Sequence, residues 1–194
     1  MDDANSTGRR GLPDVTLRHV GMYVTDIDTI LDFYTGVLGF MVSDRGPFRG
    51  EEIAFLTRDP EEHHEIVVMS GRPAGSFGTV NQISFRANNL ADLRATHELV
   101  TGAGVGKIDP VDHGNALSVY FWDPEDNRIE VYIPTPWYVS QPNRTPLDFS
   151  LTDEEIVAAN ERKCRADPSF RTAADWQAGF GRARAGGATQ PEIV

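Results

Sequence analysis

The chain has 194 residues, 40% of them hydrophobic, and carries 29 Asp and Glu against 18 Lys and Arg, a net charge of -11. Acidity of this size repels phosphate backbones and anionic lipid surfaces, so neither nucleic acid nor a membrane is an expected partner. A single cysteine, Cys164, excludes an intrachain disulfide framework and a multi-cysteine zinc site, which leaves any metal to His and carboxylates.

The opening MDDANSTGRRGLPDV lacks the apolar core of a secretory leader, and no window approaches the roughly 18 apolar residues of a membrane span. The expectation is a cytoplasmic protein with a flexible arm over 1–14. TLRHVGMYV then alternates like a strand, and TDIDTILDFYTGVLGF places Ile27, Ile30, Leu31, Tyr34 and Leu38 at helical spacing. Thr25 or Asp26 can cap that helix and Gly39 can end it. Short strands are predicted around 40–44, 52–57 and 65–69, separated by Gly, Pro and charged turns.

The same unit recurs. A shift of 63 residues lays RHVGMYVTDID over NQISFRANNLA, with Val20 on Ile83, Met22 on Phe85, Val24 on Ala87 and Asp26 on Asn89. The second copy has its own helix, LADLRATHELVTGAG, and predicted strands near 105–108, 117–122 and 128–133; EIVVM falls on RIEVY. The fold class predicted is α+β: two tandem βαβββ modules, 15–72 and 79–134, forming one curved mixed sheet around a cleft. The Gly and Pro stretch SGRPAGSFG links them. Beyond 134 the composition turns proline-rich, and two helices, over 150–165 and 172–184, make a C-terminal extension, 135–194, with a disordered end. That tail is expected to wrap the core, cover the cleft or build a subunit contact.

Residues at matching positions of the two copies should face each other across the cleft, which sets Gln82 opposite His19. Gln82 in TVNQISFR is either an edge residue facing water or a cleft residue. Of five histidines, His97 lies on the apolar stripe of its helix and is read as packing; His19, His63, His64 and His113 fall where the repeat predicts a site. In RIEVY, Arg128, Glu130 and Tyr132 point to one side and Ile129 and Val131 to the other. A glutamate in such a strand either faces solvent or is paired or metal-bound, because a lone buried carboxylate is costly.

The HVGMYVTDIDTILDFYTGVLGF opening, HHEIVVMSG and above all DHGNALSVYFWDPEDNRIEVY resemble the vicinal oxygen chelate superfamily, and within it the one-domain type I extradiol dioxygenases, over roughly residues 16–134. The resemblance implies that His19 and Glu130 are metal ligands, that His64 is an acid–base group over the metal, and that His113 and Tyr120 hydrogen-bond bound catechol and oxygen. A histidine titrating near neutrality suits the proton transfer that a chelating catechol requires. A packing or surface role for His113 and Tyr120 stays an equal alternative.

The second metal histidine of the family falls on Gln82, which breaks the facial triad of two His and one carboxylate. Fe(II) is the cofactor that the resemblance implies, with Mn(II) or another oxygen-loving divalent ion as the alternative; the glyoxalase I branch accepts Gln as a ligand. That branch also takes a carboxylate at the place of Val67, which cannot coordinate, leaving Glu65 as its local substitute. Asp126 stands where the family usually has glycine, and Asp tolerates a left-handed turn. The resemblance thus implies a ring-cleaving dioxygenase acting on a small aromatic diol and O2, assembled as a homodimer or larger homo-oligomer. A non-catalytic binding or resistance protein on the same scaffold and a glyoxalase-like isomerase are the alternatives.

Overall fold

The fold, taken from a computed structural model, is described for residues 16–186; the predicted arm over 1–14 and residues 187–194 lie outside the described residues. In chain order the elements are β1 (Val20–Tyr23), α1 (Ile27–Gly36), β2 (Met41–Phe48), β3 (Glu51–Thr57), β4 (Ile66–Met69), β5 (Ile83–Arg86), α2 (Leu90–Gly102), β6 (Ile108–Asp112), β7 (Ala116–Trp122) and β8 (Arg128–Pro134). There follow β9 (Trp137–Tyr138), β10 (Thr145–Pro146), α3 (Asp153–Ala166), β11 (Arg171–Thr172) and α4 (Ala173–Ala185).

The chain divides into two compact units. One contains Leu17–Val111 and Ser118–Ile133, and the other contains Asp112–Leu117 with residues from Pro134 onward. The first unit carries the repeat. Its first sheet runs β1-β4-β3-β2, and in its second β6, β7, β8 and β5 succeed one another. β1 lies parallel to β4 with Val20 beside Ile66 and Gly21 beside Val67. β5 lies parallel to β8 with Ile83 beside Ile129 and Ser84 beside Glu130. Every pair in the second ladder is the first shifted by 63 residues, so the duplication holds at the level of strand register.

The helices repeat as well. The Asp26 side chain accepts from the Thr29 N–H at the start of α1, and Asn89 does the same for Asp92 at the start of α2. Each short polar side chain satisfies a backbone donor that has no partner within its own helix. The inner stripes, Ile30, Leu31 and Tyr34 in α1 and Leu93 and Val100 in α2, are buried. Each large apolar side chain removed from water contributes about 1.5–3 kcal/mol.

β6 begins later than the predicted 105–108. The Val105 N–H still bonds the Val100 carbonyl, so this stretch finishes α2, and the strand runs from Ile108 through Pro110 to Asp112. Proline inside a strand pattern argues against extending a predicted strand there, and the ladder overrides that signal. Asp126 takes φ 61, the left-handed conformation expected of it.

Glu125, in the turn between β7 and β8, joins the two modules. Its carboxylate accepts from the Thr25 N–H at 2.7 and 2.9 Å and from the Asp26 N–H at 2.7 Å. Arg72 approaches the same carboxylate at 3.4 Å. The anion therefore sits on the positive end of α1, where unpaired N–H groups and the helix dipole favour it. On another side of the joint the Phe40 and Phe85 rings meet edge to face at 5.5 Å.

In the second unit, α3 opens with a capping box between Thr152 and Glu155. Asn160 and Lys163 reach from α3 to Asp112, with Nδ2 and Nζ donating to Oδ1 at 2.9 and 2.7 Å. β9 pairs with β11, and Tyr138, Trp176 and Phe180 stack in sequence.

Candidate active site

The register of β5 against β8 sets Ser84 beside Glu130, and β7 brings Ser118 and Tyr120 to the same carboxylate. Glu130 is only 7% exposed. Ser118 Oγ donates to its Oε1 at 2.8 Å, Ser84 Oγ to its Oε2 at 2.6 Å and Gln82 Nε2 to its Oε2 at 3.1 Å. The second Gln82 N–H goes to Ser84 Oγ at 3.1 Å. Tyr120, 4% exposed, also hydrogen-bonds Glu130; burial first, and then that carboxylate, push its hydroxyl pKa up to about 12. A buried carboxylate is tolerable only with its acceptor sites filled, and here neutral donors fill them.

A histidine cluster lies at the β1 and β4 side. The His19 and His64 rings are 4.4 Å apart, and Phe55 meets His64 edge to face at 5.2 Å. His63 Nε2 lies 2.8 Å from Asp44 Oδ2, and His63 Nδ1 lies 3.0 Å from His64 Nδ1. An ionised carboxylate only accepts, so the Nε2 proton of His63 belongs to that bond. One Nδ1 of the pair donates to the other, and where the proton is on His64 Nδ1 the Nε2 of His64 keeps a lone pair. Burial, then the charges of His19 and His63, hold the His64 pKa below the ordinary histidine value, so the ring is neutral at pH 7.

The predicted site residues thus fall into three places. Gln82, Tyr120 and Glu130 meet around one carboxylate, and His19 and His64 meet in the histidine cluster. No hydrogen bond or ring contact joins His19 to Glu130 among the described residues. His113 belongs to the other compact unit, where its Nδ1 lies 2.7 Å from the Asn143 carbonyl oxygen.

Sequence reasoning missed Ser84, Ser118, Asp44 and Arg128. Alternation was the available signal: Ser84 follows Gln82 by two, Ser118 precedes Tyr120 by two, and Arg128 precedes Glu130 by two, each pair on one side of its strand.

The resemblance implies a divalent ion held by His19, Gln82 and Glu130. One imidazole, one amide and one carboxylate are donors that a hard divalent ion accepts. Gln82 and Glu130 already meet, and turning the Gln82 amide about its last torsion sets its oxygen where the nitrogen stands. Among the described residues no group of three or more His, Cys, Asp and Glu is placed to hold a metal, so an ion at this place depends on the Gln82 amide.

Comparison with known proteins follows the same lines. Residues 16–131 match the family model described as Glyoxalase/Bleomycin resistance protein/Dioxygenase superfamily. A biphenyl-2,3-diol 1,2-dioxygenase of Rhodococcus globerulus is 27% identical over 156 residues, 77% of this chain and 72% of that protein. A second biphenyl-2,3-diol 1,2-dioxygenase of the same organism is 29% identical over 123 residues, 60% of this chain and 62% of that one. Among solved structures, a glyoxylase/bleomycin resistance protein/dioxygenase domain from Frankia sp. EAN1pec superposes with a TM-score of 0.55 at 22% identity, covering 64% of this chain and 94% of that one. With two duplicated modules in register and a family match across more than half its length, the chain belongs to the Glyoxalase/Bleomycin resistance protein/Dioxygenase superfamily.

Proposed function

We propose that the protein is a metal-dependent extradiol-type ring-cleavage dioxygenase acting on a catechol-like aromatic diol in the cytoplasm, as a homo-oligomer. The observation that carries the reading is the convergence of Gln82 and Tyr120 on the buried Glu130 carboxylate, at the strand β8 that the dioxygenase resemblance assigns to metal and substrate. The two Rhodococcus relatives named as diol dioxygenases support the same substrate class. His19, Gln82 and Glu130 would hold the ion, Fe(II) or Mn(II), which when bound supplies a Lewis-acid seat for the diol oxygens and O2.

The chain's own groups do the rest. His64 is neutral at pH 7 and offers Nε2 to a diol proton, while Asp44 and His63 hold its other nitrogen. Tyr120 keeps its proton at neutral pH, and to donate to an oxygen of the diol its one O–H leaves the Glu130 carboxylate. His113 is not required for these two roles.

The test is anaerobic purification, addition of Fe(II), Mn(II) or no metal, and exposure to air with catechol or dihydroxybiphenyl. A yellow ring-opened product with at least one metal is the expected result. No product with any metal, together with no retained metal, would replace the reading by a non-catalytic binding protein. That second reading draws on the hydrogen bonds by which Gln82 and the two serines already fill the Glu130 acceptors. A glyoxalase-like isomerase is disfavoured, because Val67 lies beside Gly21 at the place that Glu130 takes beside Ser84 in the second module.

A further inference from the structure

The hydrogen bonds around Glu130 fix more than the carboxylate. An ionised carboxylate only accepts, so Gln82 Nε2, 3.1 Å from Oε2, turns an N–H toward it. The Ser84 hydroxyl has one proton and gives it to the same Oε2 at 2.6 Å. What it shows to Gln82 at 3.1 Å is therefore a lone pair, which again takes only an N–H. Two contacts thus demand the amide nitrogen inward. The Gln82 oxygen, the donor atom that suits a hard divalent ion, is turned away from Oε2 and accepts no hydrogen bond among the described residues.

The hydroxyl that does this is singular in its placement. Gln82 stands just before β5 and Ser84 two residues later on the same side, while the register sets Ser84 directly beside Glu130. One side chain touches both. Ser118 reaches the other carboxylate oxygen, Oε1, at 2.8 Å and makes no hydrogen bond to Gln82 among the described residues. In the first module the 63-residue shift lays Gly21 and Val67 on Ser84 and Glu130, so no side chain plays the equivalent part beside His19.

For Gln82 and Glu130 to share an ion, the amide has to turn over. Its oxygen then meets Ser84 Oγ. Either the two face each other lone pair to lone pair, or the Ser84 proton swings to the amide and leaves Glu130; one hydrogen bond is lost in both cases. Without the Ser84 hydroxyl that loss disappears.

We infer that Ser84 is a positioning residue that latches the Gln82 amide with its nitrogen toward Glu130 and thereby lowers the affinity of the site for a divalent ion, an assignment that rests on reading Gln82 and Glu130 as ligands to one ion. The latch and the ion compete for a single torsion of Gln82.

Mn(II) affinity, followed through the electron paramagnetic resonance signal of the free ion, tests it. Ser84 is exposed, so Ser84→Ala leaves the packing untouched. It is expected to bind Mn(II) about threefold to tenfold tighter than wild type, the value of one neutral hydrogen bond. In Gln82→His there is no amide to turn, and adding Ser84→Ala to that variant is expected to bring no such gain. Ser118→Ala removes a donor from the same carboxylate without touching the amide and is expected not to tighten binding. In the metal-free protein the Gln82 side-chain NH2 resonances, identified by their loss in Gln82→Met, are expected to exchange with water faster in Ser84→Ala than in wild type. Equal Mn(II) affinity and equal amide exchange in wild type and Ser84→Ala would overturn the inference. So would the same gain in the Gln82→His background, an equal gain from Ser118→Ala, or no Mn(II) binding by any of these proteins. Tighter Mn(II) binding by Ser84→Ala with no ring-opened product under any metal keeps the latch and removes the dioxygenase reading. Ring opening by wild type and Ser84→Ala at equal metal affinity keeps the dioxygenase and removes the latch.

Discussion

The Gln82 amide nitrogen lies 3.1 Å from Oε2 of Glu130, at a position where the dioxygenase branch keeps a histidine. An amide is a weaker ligand than imidazole, and in this arrangement it donates both its hydrogens, one to Ser84 and one to Glu130. Gln82→His restores two His and one carboxylate and is expected to raise Fe(II) retention about tenfold or more, with ring cleavage of catechol rising alongside. Metal analysis after desalting and the yellow-product assay read both quantities. A variant that folds but holds no more iron than the parent would show that Glu130 and His19 do not share an ion.

Glu125 joins the modules through three contacts to the N–H groups of Thr25 and Asp26, with a side chain only 11% exposed. Its replacement by Gln keeps the size but turns a charged acceptor into a neutral amide, leaving Arg72 facing no anion there. The expected loss is about 2 kcal/mol, the value of a hydrogen bond to a charged group, or a fall in Tm of roughly 5 °C for a chain of this length. A melt within a degree of wild type would mean that the modules are held mainly by Phe40, Phe85 and their neighbours.

The duplicated architecture is legible in the sequence because it rests on local pattern. The strand alternation in TLRHVGMYV, the stripe of α1 and the caps Asp26 and Asn89 are all visible within a dozen residues, and the 63-residue shift carries over to the ladders unchanged. At Pro110 a local signal conflicts with tertiary pairing, and there the predicted strand and the observed β6 part company. Ser84 and Ser118 are invisible in the same pattern because the role of a serine depends on what stands across the ladder, and Asp44 because its partner His63 is 19 residues away. Arg128 looks like an ordinary flanking charge, since the Tyr120 face beneath it is not written in the strand.

Two glycines separate backbone need from mere tolerance. Gly114 has φ +80, and a Cβ there would run into Cγ2 of Val139. Gly114→Ala therefore incurs both left-handed strain and a steric clash, together about 3 kcal/mol, and should lower the Tm by several degrees. Gly102 ends α2 with nothing within 4 Å of the place a Cβ would take and no positive φ, so Gly102→Ala should stabilise by about 0.5–1 kcal/mol through a less flexible unfolded chain. Urea titrations with unchanged slope would give both values. Equal effects of the two substitutions would contradict the role assigned to the Gly114 turn.

Asp26 supplies a pH signature for the first module. The Thr29 backbone N–H, and then the Thr29 hydroxyl, hold its carboxyl below the usual carboxylate range. A depressed folded pKa means that the ionised form is favoured by folding, so the cap's contribution is present above the unfolded value of about 4 and is lost as pH falls through the folded one. Asp26→Ala should therefore melt below wild type at pH 7, and the gap should close as the pH is taken well below 4. Asp26→Asn, which can accept the same N–H without titrating, should stay near wild type at pH 7 and lack that acid-side loss. Thermal melts of the three proteins from pH 7 downward make the comparison, and an Asp26→Ala deficit that stays constant across the whole range would mean that ionisation of Asp26 is irrelevant to the start of α1.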